Sequence, residues 1–187
     1  MKDYDFKIER TTQPDIKNRV DLAKHFAKRG YKIGAEIGVA EGEYAVELCK
    51  AIPGLKYYGI DSWPKEGKIQ YHIQARYELT KKNLAPYDAI LIRKPSMEAV
   101  GEFENASLDF VYIDASHQFD YVVNDIIEWT KKVKKGGIVA GHDYHVANTC
   151  GVIEAVDAYV HAHSYRLNLT SDPSETSSWW FEKRWNT

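Results

Sequence analysis

Apolar residues along this chain change their spacing several times, and the changes divide it into short elements. Some segments are short and mostly apolar, such as 108–113 (LDFVYI), which is typical of buried strands. Others, such as 121–133, repeat apolar residues every three or four positions, which is typical of amphipathic helices. The pattern predicts helices over 14–30, 44–52, 69–84, 97–103, 121–133 and 151–163, and strands over 32–39, 56–60, 89–93, 108–113, 138–140, 165–170 and 178–183.

Regular alternation of strands and helices predicts a fold of the α/β class. Parallel strands joined through helices need right-handed crossovers, which place helices on both faces of the sheet. The connection 171–177 is too short for a helical crossover, so the last two strands should pair as a hairpin. We expect a Rossmann-like, doubly wound, mostly parallel seven-stranded sheet with a C-terminal antiparallel hairpin. Residues 1–30 would form an N-terminal helical extension and 31–187 the main domain, and Gly136-Gly137 should stop the helix before the fifth strand.

Composition narrows the classes of partner. The 187 residues suffice for one α/β domain with a full core. Lys plus Arg number 25 and Asp plus Glu 27, and this balance argues against nucleic acid as the main partner. No segment has the apolar length of a bilayer span, and Cys49 and Cys150 lack the spacing of a metal site. We therefore expect a cytoplasmic protein with no membrane partner.

The loop after the first strand contains two glycines, Gly38 and Gly42, which allow a tight turn and a close approach of the backbone to a ligand. The dinucleotide pattern G-x-G-x-x-G is not met, because Ala40 and Glu43 stand at its second and third glycines. Glu41 and Glu43 also place negative charge where a pyrophosphate would lie. A ligand with a sulfonium and no phosphate meets no such repulsion. Two loop glycines with capping glutamates are the alternative interpretation.

Candidate adenosine-binding residues follow the next two strands. Asp61 ends the second strand, and its two carboxylate oxygens suit the two ribose hydroxyls of an adenosine. The alternative is an aspartate that caps a turn. Ser96 and Met97 follow the third strand, where they would flank an adenine; a helix cap followed by a core methionine explains them equally well.

Acidic and imidazole side chains follow the fourth and fifth strands. Asp114 leaves an apolar strand, and His117 stands three residues later at a helix start, where a neutral imidazole could take a proton from a hydroxyl. A cap or packing residue is the alternative for His117. His142 and Asp143 end the fifth strand and, with Asp114, could hold one divalent cation such as Mg²⁺. Without a metal they would line an acceptor pocket. The candidate catalytic residues are His117, Asp114 and His142.

Four segments together resemble the class I S-adenosylmethionine-dependent methyltransferases, and most of all the bacterial branch related to macrocin- and catechol-type O-methyltransferases. They are 36–42 (EIGVAEG), 58–61 (YGID), 109–117 (DFVYIDASH) and 135–144 (KGGIVAGHDY). The resemblance covers roughly residues 30 to 185, in the order that such a fold requires.

The resemblance implies roles for individual residues. Glu36, Gly38 and Gly42 would contact the methionine end of the cofactor, Asp61 its ribose, and Asp114 would lie near the sulfonium and the acceptor. Metal-dependent relatives bind magnesium through an acid after strand four and a pair after strand five. Here His142 replaces the more usual acid, and His117 stands where catechol-type enzymes have a lysine base.

These observations favour methylation of a hydroxyl on a small-molecule acceptor, with S-adenosylmethionine as the methyl donor. The N-terminal helix and the loops 62–68 and 144–149 would border the acceptor pocket. Two alternatives remain at this point: an NAD-dependent oxidoreductase, and a non-catalytic domain that binds an adenosine ligand. A homo-oligomer is left open.

Overall fold

The computed structural model describes residues 7–64, 70–145, 151–174 and 176–185. Several positions named in the sequence analysis lie outside the described residues. They are Cys150, Ile69 at the start of the helix predicted over 69–84, and most of the loops 62–68 and 144–149. The strands are β1 (Arg10–Thr12), β2 (Ile33–Ile37), β3 (Lys56–Asp61), β4 (Ala89–Arg93), β5 (Leu108–Ile113), β6 (Val133–Gly141), β7 (Leu167–Leu169) and β8 (Trp179–Glu182). The helices are α1 (Arg19–Lys28), α2 (Glu43–Ala51), α3 (Gln70–Leu84), α4 (Ser96–Ala99), α5 (Phe119–Lys132) and α6 (Val152–Ala162).

The strands form one sheet in the order β1-β7-β8-β6-β5-β2-β3-β4. All neighbouring pairs are parallel except those that β8 makes with β6 and β7, which confirms the doubly wound sheet and its antiparallel hairpin. The sheet has eight strands rather than the predicted seven. The additional strand, β1, is an edge strand that pairs with β7. Its sequence, RTT, has no apolar pattern from which a strand could be predicted.

Helices cover both faces of the sheet. Helices α1, α2 and α3 pack on one face, and α4, α5 and α6 on the other. The N-terminal segment contributes to this core, because Leu22 and Phe26 of α1 are fully buried and Phe26 stacks on Phe110 of β5 with ring centroids 4.5 Å apart. None of the helices in the described ranges has the length and apolar composition needed to cross a membrane.

Two predicted boundaries were wrong. The helix predicted from Pro14 begins at Arg19, because Asn18 caps it by accepting the backbone N–H groups of the second and third helical residues. The strand predicted from Ile138 begins at Val133, so the Gly136-Gly137 pair lies inside β6 and does not end α5, which stops at Lys132. The register with β5 shifts at this pair, from Leu108 opposite Val133 to Phe110 opposite Ile138. A Cβ on Gly137 would lie 2.4 Å from the carbonyl oxygen of Asp109.

The carboxyl ends of β2, β3 and β5 converge around Gly38. Its N–H donates to the carbonyl of Ile60 at 2.8 Å, and the N–H of Asp114 donates to the carbonyl of Ile37 at 2.7 Å. A Cβ on Gly38 would lie 2.0 Å from the carbonyl oxygen of Asp114, and the φ of Gly38 is +91°. Only glycine permits this approach, which defines the edge of the sheet where a ligand would bind.

Gly38→Ala should therefore destabilise the fold. The left-handed backbone and the contact with Asp114 each add strain, and we expect the free energy of unfolding to fall by about 2–4 kcal/mol. Gly54→Ala is the matched control, because Gly54 has a φ of +74° and no atom within 4 Å of its added Cβ. The control should lose only about 1 kcal/mol in urea unfolding. Equal losses for the two variants would contradict the importance of this contact.

Candidate active site

A cleft of about 580 Å³ opens at the carboxyl ends of β2, β3 and β5, between α4 and α5. We call it the cofactor cleft. Several predicted residues line it, whereas Glu36 and Gly42 lie outside its lining. Among the described residues its lining consists of Ile37, Gly38, Ala40, Ile60, Asp61, Ser62, Pro95, Ser96, Met97, Asp114, Ala115, Ser116, Tyr121, Asn124 and Asp125.

Asp61 holds the loop that follows β2 through hydrogen bonds to its backbone. Its Oδ2 accepts the backbone N–H groups of Val39 and Ala40 at 3.1 and 3.0 Å, and its Oδ1 accepts that of Trp63 at 3.0 Å. The turn-capping interpretation thus describes the contacts that Asp61 makes. A carboxylate offers about four acceptor positions, so the three bonds leave room for one further donor from the cleft.

The glycine loop itself leads into α2. Gly42 is the N-cap of α2 with a φ of +81°, and Thr80 packs 3.1 Å from the position its Cβ would take. Glu41 forms an ion pair with Arg76 at 2.5 Å, and Glu43 is exposed in the first turn of α2. Gly42 therefore shapes the loop without touching the cleft.

The far wall of the cofactor cleft holds an acid that sequence reasoning missed. Asp125 is 4% exposed, and its Oδ1 accepts a hydrogen bond from Ser96 Oγ, which in turn accepts the indole N–H of Trp129 at 2.8 Å. Burial raises the pKa of Asp125 to about 6. Met97 is 43% exposed beside it, so it does not pack in the core. The available signal was an acid in the apolar stripe of α5, three positions after Val122.

Glu36 lies beneath the cleft, in the middle of the sheet. It is 2% exposed, and its Oε2 accepts a hydrogen bond from the Tyr57 hydroxyl at 2.5 Å. Burial raises the pKa of Glu36 to about 8, against the opposing effect of the Tyr57 bond. Its carboxyl is therefore largely protonated at neutral pH.

Asp114, His117 and Asp143 form what we call the acid–imidazole cluster. His117 Nε2 lies 2.9 Å from Asp143 Oδ2 and 3.6 Å from Asp114 Oδ1. A hydrogen bond with Asp114 and the charges of both acids raise the pKa of His117, while a hydrogen bond from His142 and the nearby imidazoles lower that of Asp143. Asp114 also lines the cofactor cleft, so the cluster borders it.

The structure places His142 differently from the predicted metal set of Asp114, His142 and Asp143. His142 Nδ1 lies 3.4 Å from Asp143 Oδ1, and its backbone is held by Ile113 and by the Trp179 indole. The donor atoms that come within 4.8 Å of one another belong to Asp114, His117 and Asp143. Spacing alone did not reveal this exchange of histidines, because His117 lies in the loop between β5 and α5, and the path of that loop over the strand ends is not encoded in the spacing.

A family model described as a methyltransferase domain matches residues 35–144 of the chain. The chain therefore belongs to this methyltransferase family. The predicted class, a methyltransferase, is confirmed, and the oxidoreductase alternative is wrong. One curated relative, the uncharacterised protein y4gI of Sinorhizobium fredii, is 23% identical over 117 residues, or 59% of this chain and 13% of that protein. The chain thus spans a small part of that relative's length.

Solved structures share the fold. An O-methyltransferase from Bacillus cereus, in complex with SAH, superposes with a TM-score of 0.65 at 11% identity over 88% of this chain and 80% of that chain. The O-methyltransferase TomG of Streptomyces achromogenes, involved in tomaymycin synthesis and in complex with SAM, gives a TM-score of 0.66 at 12% identity over 88% and 79%. These likenesses show the architecture expected for the family.

The buried carboxyl of Glu36 should make stability depend on pH. Its folded pKa of about 8 lies above the ordinary value of 4.5, so the folded state binds this proton more tightly than the unfolded state. The resulting stabilisation is complete below the unfolded pKa and is lost as pH rises towards 8, with a slope of up to about 1.4 kcal/mol per pH unit. Glu36→Gln should flatten this slope in urea unfolding. Glu43→Gln, at an exposed position, should leave the slope unchanged. Equal slopes for wild type and Glu36→Gln would show that the folded protein does not hold a proton on Glu36.

Proposed function

We propose that this methyltransferase takes its methyl group from S-adenosylmethionine and transfers it to a hydroxyl of a small molecule. The observation that carries the proposal is the position of Asp114, which lines the cofactor cleft and also belongs to the acid–imidazole cluster. A cofactor in the cleft would therefore border the groups able to remove a proton. The bound SAH and SAM of the two structural neighbours support the choice of cofactor.

The charge of the cofactor cleft favours a cationic ligand. Its described lining contains Asp61, Asp114 and Asp125, and none of those lining residues is a lysine or an arginine. Three acids would repel a pyrophosphate, whereas they suit a ligand that carries a sulfonium and an ammonium group. The same charges argue against a phosphorylated dinucleotide.

The lining suggests how an adenosine would be held. The remaining acceptor position of Asp61 would take a ribose hydroxyl, and Met97 would pack on the adenine ring. Asp125 is bonded through Oδ1 to Ser96, so its second oxygen could accept the exocyclic amine of adenine. Gly38 would allow the methionine end to pass close to the backbone. Glu36 would act from below the cleft rather than by lining it.

His117 is proposed as the general base. When bound, S-adenosylmethionine supplies an electrophilic methyl group on a sulfonium. Asp143 takes the hydrogen bond from Nε2, so Nδ1 is the nitrogen left to accept the proton of an acceptor hydroxyl. The two carboxylates stabilise the imidazolium that results, as their effect on the pKa of His117 indicates.

A divalent cation is the second candidate for the same cluster. The 2.9 Å between His117 Nε2 and Asp143 Oδ2 suits two ligands of one ion, and Asp114 supplies a third donor. One imidazole nitrogen with two carboxylates fits Mn²⁺ or Zn²⁺ better than Mg²⁺, which prefers oxygen ligands. Such an ion would lower the pKa of an acceptor hydroxyl. It would also occupy Nε2, so this role and the hydrogen bond to Asp143 exclude each other.

Asp125→Asn should change which base the cleft accepts. The Ser96 hydroxyl would hold the amide oxygen, so the amide NH₂ would face the cleft and repel the adenine amine. We expect S-adenosylhomocysteine to bind about 10- to 100-fold more weakly, and S-inosylhomocysteine to gain affinity, by calorimetry above about pH 7. Glu128→Gln, on the exposed side of α5, is the control and should leave both affinities unchanged. An unaltered preference for adenine would remove Asp125 from the site.

His117→Asn should lower kcat by about 10²- to 10⁴-fold with little effect on S-adenosylhomocysteine affinity. Because its pKa is raised, the ascending limb of the wild-type pH profile should lie above about 6.5. Asp143→Asn should move that limb to lower pH, since it removes a carboxylate that favours the imidazolium. Release of S-adenosylhomocysteine measures the rate, and His163→Asn, at the end of α6, is the control. Full activity of His117→Asn would exclude His117 as the general base.

Removal of divalent cations with EDTA distinguishes the two roles proposed for the acid–imidazole cluster, general base and cation site. If His117 is the base, EDTA should leave turnover unchanged, and added Mn²⁺ or Mg²⁺ should have no effect. Loss of turnover in EDTA with recovery on adding Mn²⁺ would assign the cluster to a metal instead. Either result leaves the proposed cofactor untouched.

A further inference from the structure

A second cleft, of about 400 Å³, is lined in part by His142. Its described lining is Asn18, Arg19, Val20, His142 and Thr176, and none of these residues lines the cofactor cleft. His142 connects it to the acid–imidazole cluster through its 3.4 Å approach to Asp143. The second cleft therefore lies where an acceptor could place a hydroxyl at the cluster.

Arg19 is the cation of the second cleft. Four other arginines each form an ion pair with a carboxylate: Arg10, Arg29, Arg76 and Arg166. Within the described ranges, no acid lies within ion-pair distance of Arg19. Its guanidinium instead lies over the ring of Tyr44, with Cζ 5.4 Å from the ring centroid. Stacking on an aromatic ring orients the guanidinium and leaves its N–H groups available for an anion.

The described residues around Arg19 leave its charge largely uncompensated. It is the first residue of α1, where the helix dipole adds positive potential, and Asp21 in the same turn is paired with Lys24. Glu36, the buried acid whose charge couples to Arg19, is mostly protonated at neutral pH. The Tyr44 hydroxyl, in a side chain 3% exposed, has no hydrogen-bond partner among the described residues. A buried tyrosine thus lies against Arg19, a cation of the second cleft that forms no ion pair with any described residue.

We propose that Arg19 binds a carboxylate of the methyl acceptor, so that the substrate is a hydroxyl compound that also carries an acid group. This inference rests on the proposed function, because it assigns the second cleft to the acceptor. A single arginine flanked by the polar Asn18 and Thr176 matches the single charge of a carboxylate, which a guanidinium binds through two parallel hydrogen bonds. A phosphate dianion would call for further cations in the lining.

Matched acid and amide probes test the inference without knowledge of the natural acceptor. Ligand-observed NMR would measure the binding of 3,4-dihydroxybenzoate and 3,4-dihydroxybenzamide to the protein, alone and with S-adenosylhomocysteine. Wild type should bind the acid about tenfold or more tightly than the amide, and Arg19→Gln should abolish this preference. Arg19→Lys should retain part of it. Lys17→Gln, which removes one exposed charge two residues away, should retain all of it.

The outcomes are distinct. Equal binding of acid and amide by wild type, or a preference that survives Arg19→Gln, would overturn the inference. A loss of S-adenosylhomocysteine affinity in Arg19→Gln would also overturn it and would place Arg19 at the carboxylate of the cofactor. If wild type fails to bind S-adenosylhomocysteine, the proposed function fails, while the acid preference of the unliganded protein still decides the role of Arg19.

Discussion

The close approach of β2 to β5 at Gly38 is the constraint on which the rest of this site depends. With 2.0 Å between a Cβ at Gly38 and the Asp114 carbonyl, no side chain can separate the two strand ends. The backbone of Asp114 is consequently bonded to the end of β2, and its side chain is delivered to the edge of the cofactor cleft. Parallel neighbours in a sheet place their carboxyl ends at one edge, so His142 and Asp143 follow from β6 beside it.

Negative charge dominates the chemistry at this edge. Asp61, Asp114 and Asp125 line the cofactor cleft, and each is held differently: Asp61 by backbone N–H groups, Asp114 beside an imidazole, and Asp125 by a serine. Buried acids are costly unless they are bonded or protonated. The raised pKa values of Asp125 and Glu36 express that cost, and a cationic ligand would relieve it.

Positive charge lies on the other side of the acid–imidazole cluster. Arg19 is supplied by α1, from the segment that the sequence assigned to an extension, yet α1 packs into the same core as α2. The molecule thus separates an acidic cleft from a cleft with a cation, and the cluster lies between them. Such a division would direct a cationic cofactor and an anionic acceptor to different places before reaction.

The sequence by itself determined the fold class, the order of the elements and the residues at the ends of the strands. Periodicity sufficed for this, because alternating strands and helices have few ways to pack, and the carboxyl ends of parallel strands share one edge. Tertiary structure alone decided which side chains meet there. It brought His117 rather than His142 into the group with Asp114 and Asp143, because the loop between β5 and α5 returns over the ends of the strands. Asp125 and Arg19 reach the two clefts from helices distant in sequence, and edge strand β1 forms through backbone pairing with β7, which no local pattern records.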